Sequence, residues 1–255
     1  MRQGDPTRVR ARAASRAMTP TDYARARRFL MRRDPVLRAI IARCGPCGLD
    51  GDRGTDAFSA IIEAIVSQQL STRAAATIFG RVRGLFPPDG QPTPRDLLNA
   101  PDAALRAAGL SRQKISYMRD LSHKVMDGSL ALDRLGDMTD EEVIEAMTRV
   151  KGIGRWSAEM MLIFRLRRRD VLPVGDLGIV KAVQKAYKLR KHPAPERILN
   201  IGERWRPYRS VASWYLWASL ENAARPGGDR RGRDAATRRA CPPAAPVVTP
   251  DDRLL

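Results

Sequence analysis

Nine residues, Val150-Lys151-Gly152-Ile153-Gly154-Arg155-Trp156-Ser157-Ala158, constrain this chain more than any other stretch. Upstream of them, Thr139 and Glu142 have the spacing of a capping box, in which two side chains satisfy each other's orphan N–H groups at a helix start. Val143, Ile144, Met147 and Val150 then recur at helical spacing on one face. The period breaks at Gly152 and Gly154, where a chain without Cβ turns with φ > 0 at little cost. It resumes at Arg155, with Trp156, Met160, Ile163 and Phe164 as the next apolar stripe. Two short helices joined by Gly-Ile-Gly make a helix–hairpin–helix, expected over 139–165. The turn N–H groups and the start of the second helix form a concave cationic surface suited to a phosphate. Lys151, Gly152, Ile153, Gly154 and Arg155 are its candidate contacts. Two glycines between helices also mark plain αα-hairpins, so the hairpin alone leaves function open.

The stretch that follows narrows the choice. Arg167 to Asp170 end the second helix, Val171 to Gly175 form an apolar loop with Pro173, and Asp176 opens the next helix at Leu177. An Asp at such a place is by default an N-cap that accepts a backbone N–H.

Charge points the same way as the hairpin. The chain carries 46 Lys+Arg against 28 Asp+Glu, a formal +18. Residues 1–18 hold five Arg and one Asp, and 225–255 hold seven Arg and four Asp; taking +4 and +3 from +18 leaves +11 on 19–224. The basicity is therefore mainly a property of the folded part, and it suits a polyanion, of which nucleic acid is the commonest. Residues 1–18 lack the apolar core of a secretory signal and read as a disordered basic arm. Pro, Gly, Arg and Asp dominate 225–255, which reads as a disordered tail. No apolar run approaches the ~20 residues a membrane span needs, so the chain is expected in the cytoplasm or nucleoid, away from membranes. Cys44-Gly45-Pro46-Cys47 has the spacing of half a zinc site. The third cysteine, Cys241, and the two histidines, His123 and His192, are far away in sequence. Cys44 and Cys47 are therefore expected in a turn that buries a thiol, without a metal.

Helical patterning runs through 19–224, expected as a single all-α core. Expected helices cover 23–33, 35–44, 58–69, 74–86, 94–100, 102–107, 112–126, 180–189, 196–205 and 210–223, in addition to the hairpin pair. No alternating run is long enough for a sheet.

Four separated blocks resemble one family. V-K-G-I-G-R-W-S-A-E-M-M followed by D-V-L-P-V-G-D-L-G-I forms the centre. Ala64-Ile65-Val66-Ser67-Gln68-Gln69-Leu70-Ser71 precedes it, and Trp205-Arg206-Pro207-Tyr208-Arg209 with Trp214-Tyr215-Leu216-Trp217 follows. In this order and spacing, from about Pro20 to Asn222, the chain resembles the helix–hairpin–helix/Gly-Pro-Asp superfamily of base-excision DNA glycosylases. Within it, the likeness is to the alkylation-repair branch, DNA-3-methyladenine glycosylase II. The resemblance implies an all-α glycosylase fold of two helical subdomains with a cleft between them, without the N-terminal mixed α/β domain of longer members. It implies Asp176 as the catalytic carboxylate, and Trp156, Met160 and Trp217 as the base pocket. Met160 stands where relatives carry Tyr. Gln68, Gln69 and Leu70 fall on the wedge that relatives push into the base stack. In relatives, hairpin carbonyls also hold a monovalent cation; here these would be those of Thr148, Val150 and Ile153. The four cysteines that hold an iron–sulfur cluster in some relatives are missing here, and no cofactor is expected. Bifunctional relatives place a lysine where this chain has Trp156. The expected activity is therefore monofunctional: a monomer binds double-stranded DNA, flips out an alkylated purine such as 3-methyladenine or 7-methylguanine, and hydrolyses its glycosidic bond with water. The alternative is a non-catalytic DNA-binding or lesion-sensing protein that keeps the same fold.

Overall fold

A computed structural model describes residues 17–51, 56–86 and 91–223. The arm over 1–16 and the tail over 224–255, with Cys241, lie outside the described residues. Met18, expected in the arm, belongs to the fold: it is 4% exposed and its N–H donates to the Arg167 carbonyl at 3.1 Å. Among the described residues every regular element is helical and none is a strand.

The helices begin where the sequence places caps. α1 (Pro20–Arg33) starts from a Thr19/Asp22 capping box with Pro20 in its first turn. Asp34 closes α1 and caps α2 (Pro35–Cys44), with Pro35 at the first position, where the missing N–H costs nothing. Asp56 caps α3 (Ala57–Ser67), Ser71 caps α4 (Thr72–Arg83), and a Thr93/Asp96 box opens α5 (Pro94–Asn99). α6 (Asp102–Ala107) leads to α7 (Arg112–Met126), capped by Ser111. The Thr139/Glu142 box starts α8 (Asp140–Thr148): Glu142 accepts the Thr139 N–H at 2.7 Å while Thr139 accepts that of Glu142 at 3.3 Å. α9 (Arg155–Met160) follows the hairpin turn; then come α10 (Leu177–Ala186), α11 (Pro195–Gly202) and α12 (Arg209–Ala223).

The chain divides into two compact units. The first takes 134–145 and 155–223 together with the described residues up to 51. Its centre is α12, which packs on α2, α10 and α1. Val211, Ala212, Tyr215, Leu216 and Trp217 are buried around much of that helix, which is what a helix apolar on several sides requires. The second unit takes the described residues from 56 to 133 and 146–154; α7 packs there on α3, α5 and α6, and α3 on α4. Phe58, Ile61, Ile62, Ile65 and Val66 of α3 and Ile115, Met118 and Leu121 of α7 are buried in it.

Candidate active site

Asp176 is the N-cap of α10, and the first unit builds a cage of N–H donors around it. Its Oδ1 accepts the Ile179 backbone N–H at 2.7 Å and the Trp217 indole N–H at 2.8 Å. Its Oδ2 accepts the Trp156 indole N–H at 2.7 Å. Asp176 is only 3% exposed, and these three donors satisfy it in its buried place. The two tryptophans expected as pocket walls thus turn their polar edges to the carboxylate. Trp156 is half-buried, whereas Trp217 is 7% exposed, with Phe164 stacked on it at 5.6 Å and 25°.

Local backbone irregularity produces this arrangement. α9 lasts only to Met160 and runs into a π turn over Met161–Arg165, closed by the Leu166 N–H on the Met161 carbonyl at 2.9 Å. One residue more per turn shifts the register expected from a continuous helix. Met160, half-buried, is the last residue before that turn. Gly178, in the first turn of α10, supplies room: a Cβ there would stand 2.9 Å from Asp176 Oδ1 and 3.0 Å from the Trp217 ring. No pattern in the sequence singles out Gly178, because its need arises from a tryptophan 39 residues later.

Arg155 does not present a bare cation. Its guanidinium donates to Glu141 at 3.1 and 3.3 Å and to Glu159 at 3.2 Å. Glu159 is buried, and that burial pushes its carboxyl up to about 7 against the pull of Arg155. Sequence reading passed over Glu159, although its spacing four residues after Arg155 is the signal of a helical ion pair.

The turn and the expected wedge lie in the second unit. Of the two glycines, only Gly152 takes a positive φ, +76°, and a Cβ there would run into the Tyr117 ring. Gly154 takes an ordinary φ with open space around it, a correction to the expectation that both turn left-handed. The Lys151 N–H is spent on Asp120 Oδ2 at 2.9 Å and the Ile153 N–H on the Val150 carbonyl at 3.1 Å. Gly152 and Gly154 are themselves exposed. Gln68, half-buried, is not a free tip: its amide donates to the Gly152 carbonyl at 2.8 Å. Gln69 is exposed and left-handed at φ +58°, and Leu70 is half-buried beside it. Lys114 supports the loop from below, its ammonium on the Val66 and Gln68 carbonyls at 2.7 and 2.8 Å.

The two described cysteines lie at the end of α2 and just beyond it. Cys47 is buried, which raises its thiol to about 12, and Cys44 is half-buried. Among the described residues no three His, Cys, Asp or Glu side chains group as metal ligands, and no helix is long and apolar enough to cross a membrane.

Comparison with known proteins adds lineage to this geometry. Residues 62–207 match the HhH-GPD superfamily base excision DNA repair protein family. DNA-3-methyladenine glycosylase 1 of Schizosaccharomyces pombe is 35% identical over 167 residues, which are 65% of this chain and 73% of the relative. A structure of the 3-methyladenine DNA glycosylase of that yeast in complex with abasic DNA superposes with a TM-score of 0.67 at 32% identity, covering 77% of this chain and 97% of the other. The DNA-3-methyladenine glycosidase of Bacillus halodurans superposes with a TM-score of 0.63 at 34% identity, covering 75% and 91%.

Proposed function

Because this chain belongs to the HhH-GPD superfamily of base excision DNA repair proteins, on its alkylation-repair branch, we propose that it is a monofunctional DNA glycosylase for alkylated purines. It binds double-stranded DNA as a monomer, takes a base of the 3-methyladenine or 7-methylguanine type out of the stack, and hydrolyses the N-glycosidic bond inside the cell.

One observation carries the chemistry. An ionised carboxylate offers about four acceptor positions. At Asp176 three are filled by N–H donors, which leaves one, on Oδ2. As the base departs, positive charge builds on the deoxyribose, and that remaining position can face it or hold the attacking water. An N3- or N7-alkylated purine is already cationic, so it leaves without strong help from a general acid. One carboxylate then does what glycoside hydrolases divide between two. The half-buried indole of Trp156 suits a cationic ring.

Trp156 also bears on the second half of the reaction. Its indole donates to Asp176 and has no amine with which to attack C1′. The product is therefore an intact strand with an abasic site, and the abasic DNA bound to the yeast relative is of that class. At the second unit, the N–H groups of Gly152 and Gly154 and the Lys151 side chain take a phosphate, and Gln69 and Leu70 enter the stack. The carbonyls of Thr148, Val150 and Ile153 are hard oxygen donors suited to a monovalent cation, and that of Val150 keeps a lone pair beyond the bond to Ile153. Such an ion would screen the phosphate.

The deciding experiment measures bases released from methylated DNA, resolved by chromatography. Asp176→Asn is expected to bind DNA but to lose at least about a hundredfold in release. Release at the wild-type rate overturns the assignment. A wild-type protein that binds methylated DNA and frees no base is a lesion sensor instead. Borohydride is expected to trap no covalent complex; a trapped adduct would reveal an amine nucleophile.

A further inference from the structure

α7 carries Lys114, Tyr117 and Asp120 at three-residue spacing, on the flank of its buried stripe of Ile115, Met118 and Leu121. Each of the three touches a segment that the proposed function uses. Lys114 holds the Val66 and Gln68 carbonyls, at the end of α3 and directly before Gln69. Tyr117 fills the space that a side chain on Gly152 would occupy. Asp120 takes the Lys151 N–H on Oδ2, while its Oδ1 accepts from Lys124 at 2.7 Å. A fourth tie closes the circuit directly, from the Gln68 amide to the Gly152 carbonyl, 84 residues apart in sequence.

We propose that Lys114, Tyr117, Asp120 and Gln68 are positioning residues that lock the wedge loop and the phosphate-holding turn into one rigid head, so that Gln69 stands at a fixed offset from the anchored phosphate. This rests on the glycosylase reading above. In such a head, docking a phosphate on the turn drives Gln69 into the stack without a separate loop movement. The backbone of Gln69 supports it. A left-handed non-glycine residue persists only where its surroundings over-determine it, and here both sides of the preceding residue are fixed, carbonyl by Lys114 and amide by Gly152. Lys114 spends its ammonium on two backbone carbonyls at the C-terminal end of α3, where a cation also opposes the helix dipole. Its partial burial lowers the tendency of that amine to hold a proton.

The two roles separate on matched duplexes. One carries 7-methylguanine opposite cytosine; the other carries it opposite a tetrahydrofuran spacer, where extrusion breaks no base pair. Wild type, Lys114→Met, Gln68→Leu and Asp176→Asn are compared by single-turnover release on both. The ratio of paired to unpaired rates is expected to fall at least about tenfold in Lys114→Met and Gln68→Leu, and to stay at the wild-type value in Asp176→Asn, whose defect is chemical. Equal slowing on both duplexes by the two positioning variants, or none on either, overturns the proposal. 2-Aminopurine placed beside the lesion reports extrusion without chemistry. Its fluorescence on binding is expected to rise with wild type and to rise less with either positioning variant; equal rises overturn the proposal. If wild type releases no base yet this difference in fluorescence appears, the glycosylase reading has failed and the rigid head stands. Gln68→Leu removes a single hydrogen bond from a half-buried side chain, so it reads the same question should Lys114→Met not fold.

Discussion

Two aspartates of this chain share one local grammar and differ in a single acceptor position. Asp34 and Asp176 each cap a helix, and each accepts an indole N–H. At Asp34 the count closes: Val36 and Leu37 N–H reach Oδ1, and the Tyr187 hydroxyl and Trp205 indole reach Oδ2. With four donors on about four acceptor positions, nothing is left for a substrate, and Asp34 is 0% exposed. Among the described residues, Asp176 lacks the fourth donor. Asp34→Asn is therefore expected to cost stability, by roughly 3–5 kcal/mol for a buried charged network, while folded molecules keep their rate. The donors around Asp176 invite the opposite test. Trp217→Phe keeps a ring on Phe164 and removes one charge-assisted bond, worth roughly 1.5–3 kcal/mol. A loss of about tenfold or more in base release, with a far smaller change in Tm, is expected. Gly178→Ala should resemble it, because the added Cβ separates Asp176 from Trp217. Kinetics and calorimetry on the same preparations check both. A Gly178→Ala enzyme at full rate would mean that the Trp217 bond is dispensable.

At the scale of the element, the hairpin shows what could be read in advance and what could not. Helix starts were legible, because capping boxes and Pro at the first turn are local chemistry: the Thr139/Glu142 pair and the Asp34-Pro35 step both stand where the residues put them. Helix ends were less so. α3 stops at Ser67, two residues before its expected end, because Lys114 and Gly152 draw Gln68 out of the helix. The π turn after α9 has no sequence signal either, since it satisfies packing around Trp217 and Arg168 rather than any local preference. The Asp176 donors were half legible: Trp156 and Trp217 were expected as pocket walls, whereas the structure sets their indole N–H groups on Asp176, which no sequence pattern signals. The unequal glycines yield a prediction. Gly152→Ala strains a φ of +76° and collides with Tyr117, so the turn must deform. Affinity for any duplex is expected to fall at least about tenfold, and the slope of log K against log salt to drop by ~0.9 if one phosphate is lost. Gly154→Ala meets no neighbour in the free protein, so it is expected to keep Tm and to weaken binding only where a phosphate approaches the N–H closely. Fluorescence anisotropy over a salt series measures both. Equal losses from the two substitutions would leave no special role for the left-handed turn.

The whole molecule carries a formal +18, and its response to pH is shaped by the few carboxylates that do not ionise in the usual range. Glu159 is the strongest of these, raised by burial from 4.5 to about 7, with Glu141 and Asp176 adding to the rise and Arg155 opposing it. Arg155 is shared between Glu141 and Glu159, so one exposed guanidinium must serve a buried carboxylate and an exposed one. The sign follows from proton counting. Between pH 4.5 and about 7 the folded state binds more protons at Glu159 than the unfolded state does, so this group's contribution to stability is present below 4.5 and is lost as pH rises to about 7. Asp140, also raised first by its burial, acts in the same direction. Glu159→Gln removes the titration and keeps the volume. The difference in unfolding free energy, variant minus wild type, is expected to grow in the variant's favour from pH 5 to pH 8, by no more than about 3 kcal/mol, the upper limit set by the size of the shift. Denaturant titrations at those two values measure it. Parallel stability curves for the two proteins would mean that Glu159 ionises like an exposed glutamate and that the carboxylate beside Asp176 is charged throughout the range in which the enzyme works.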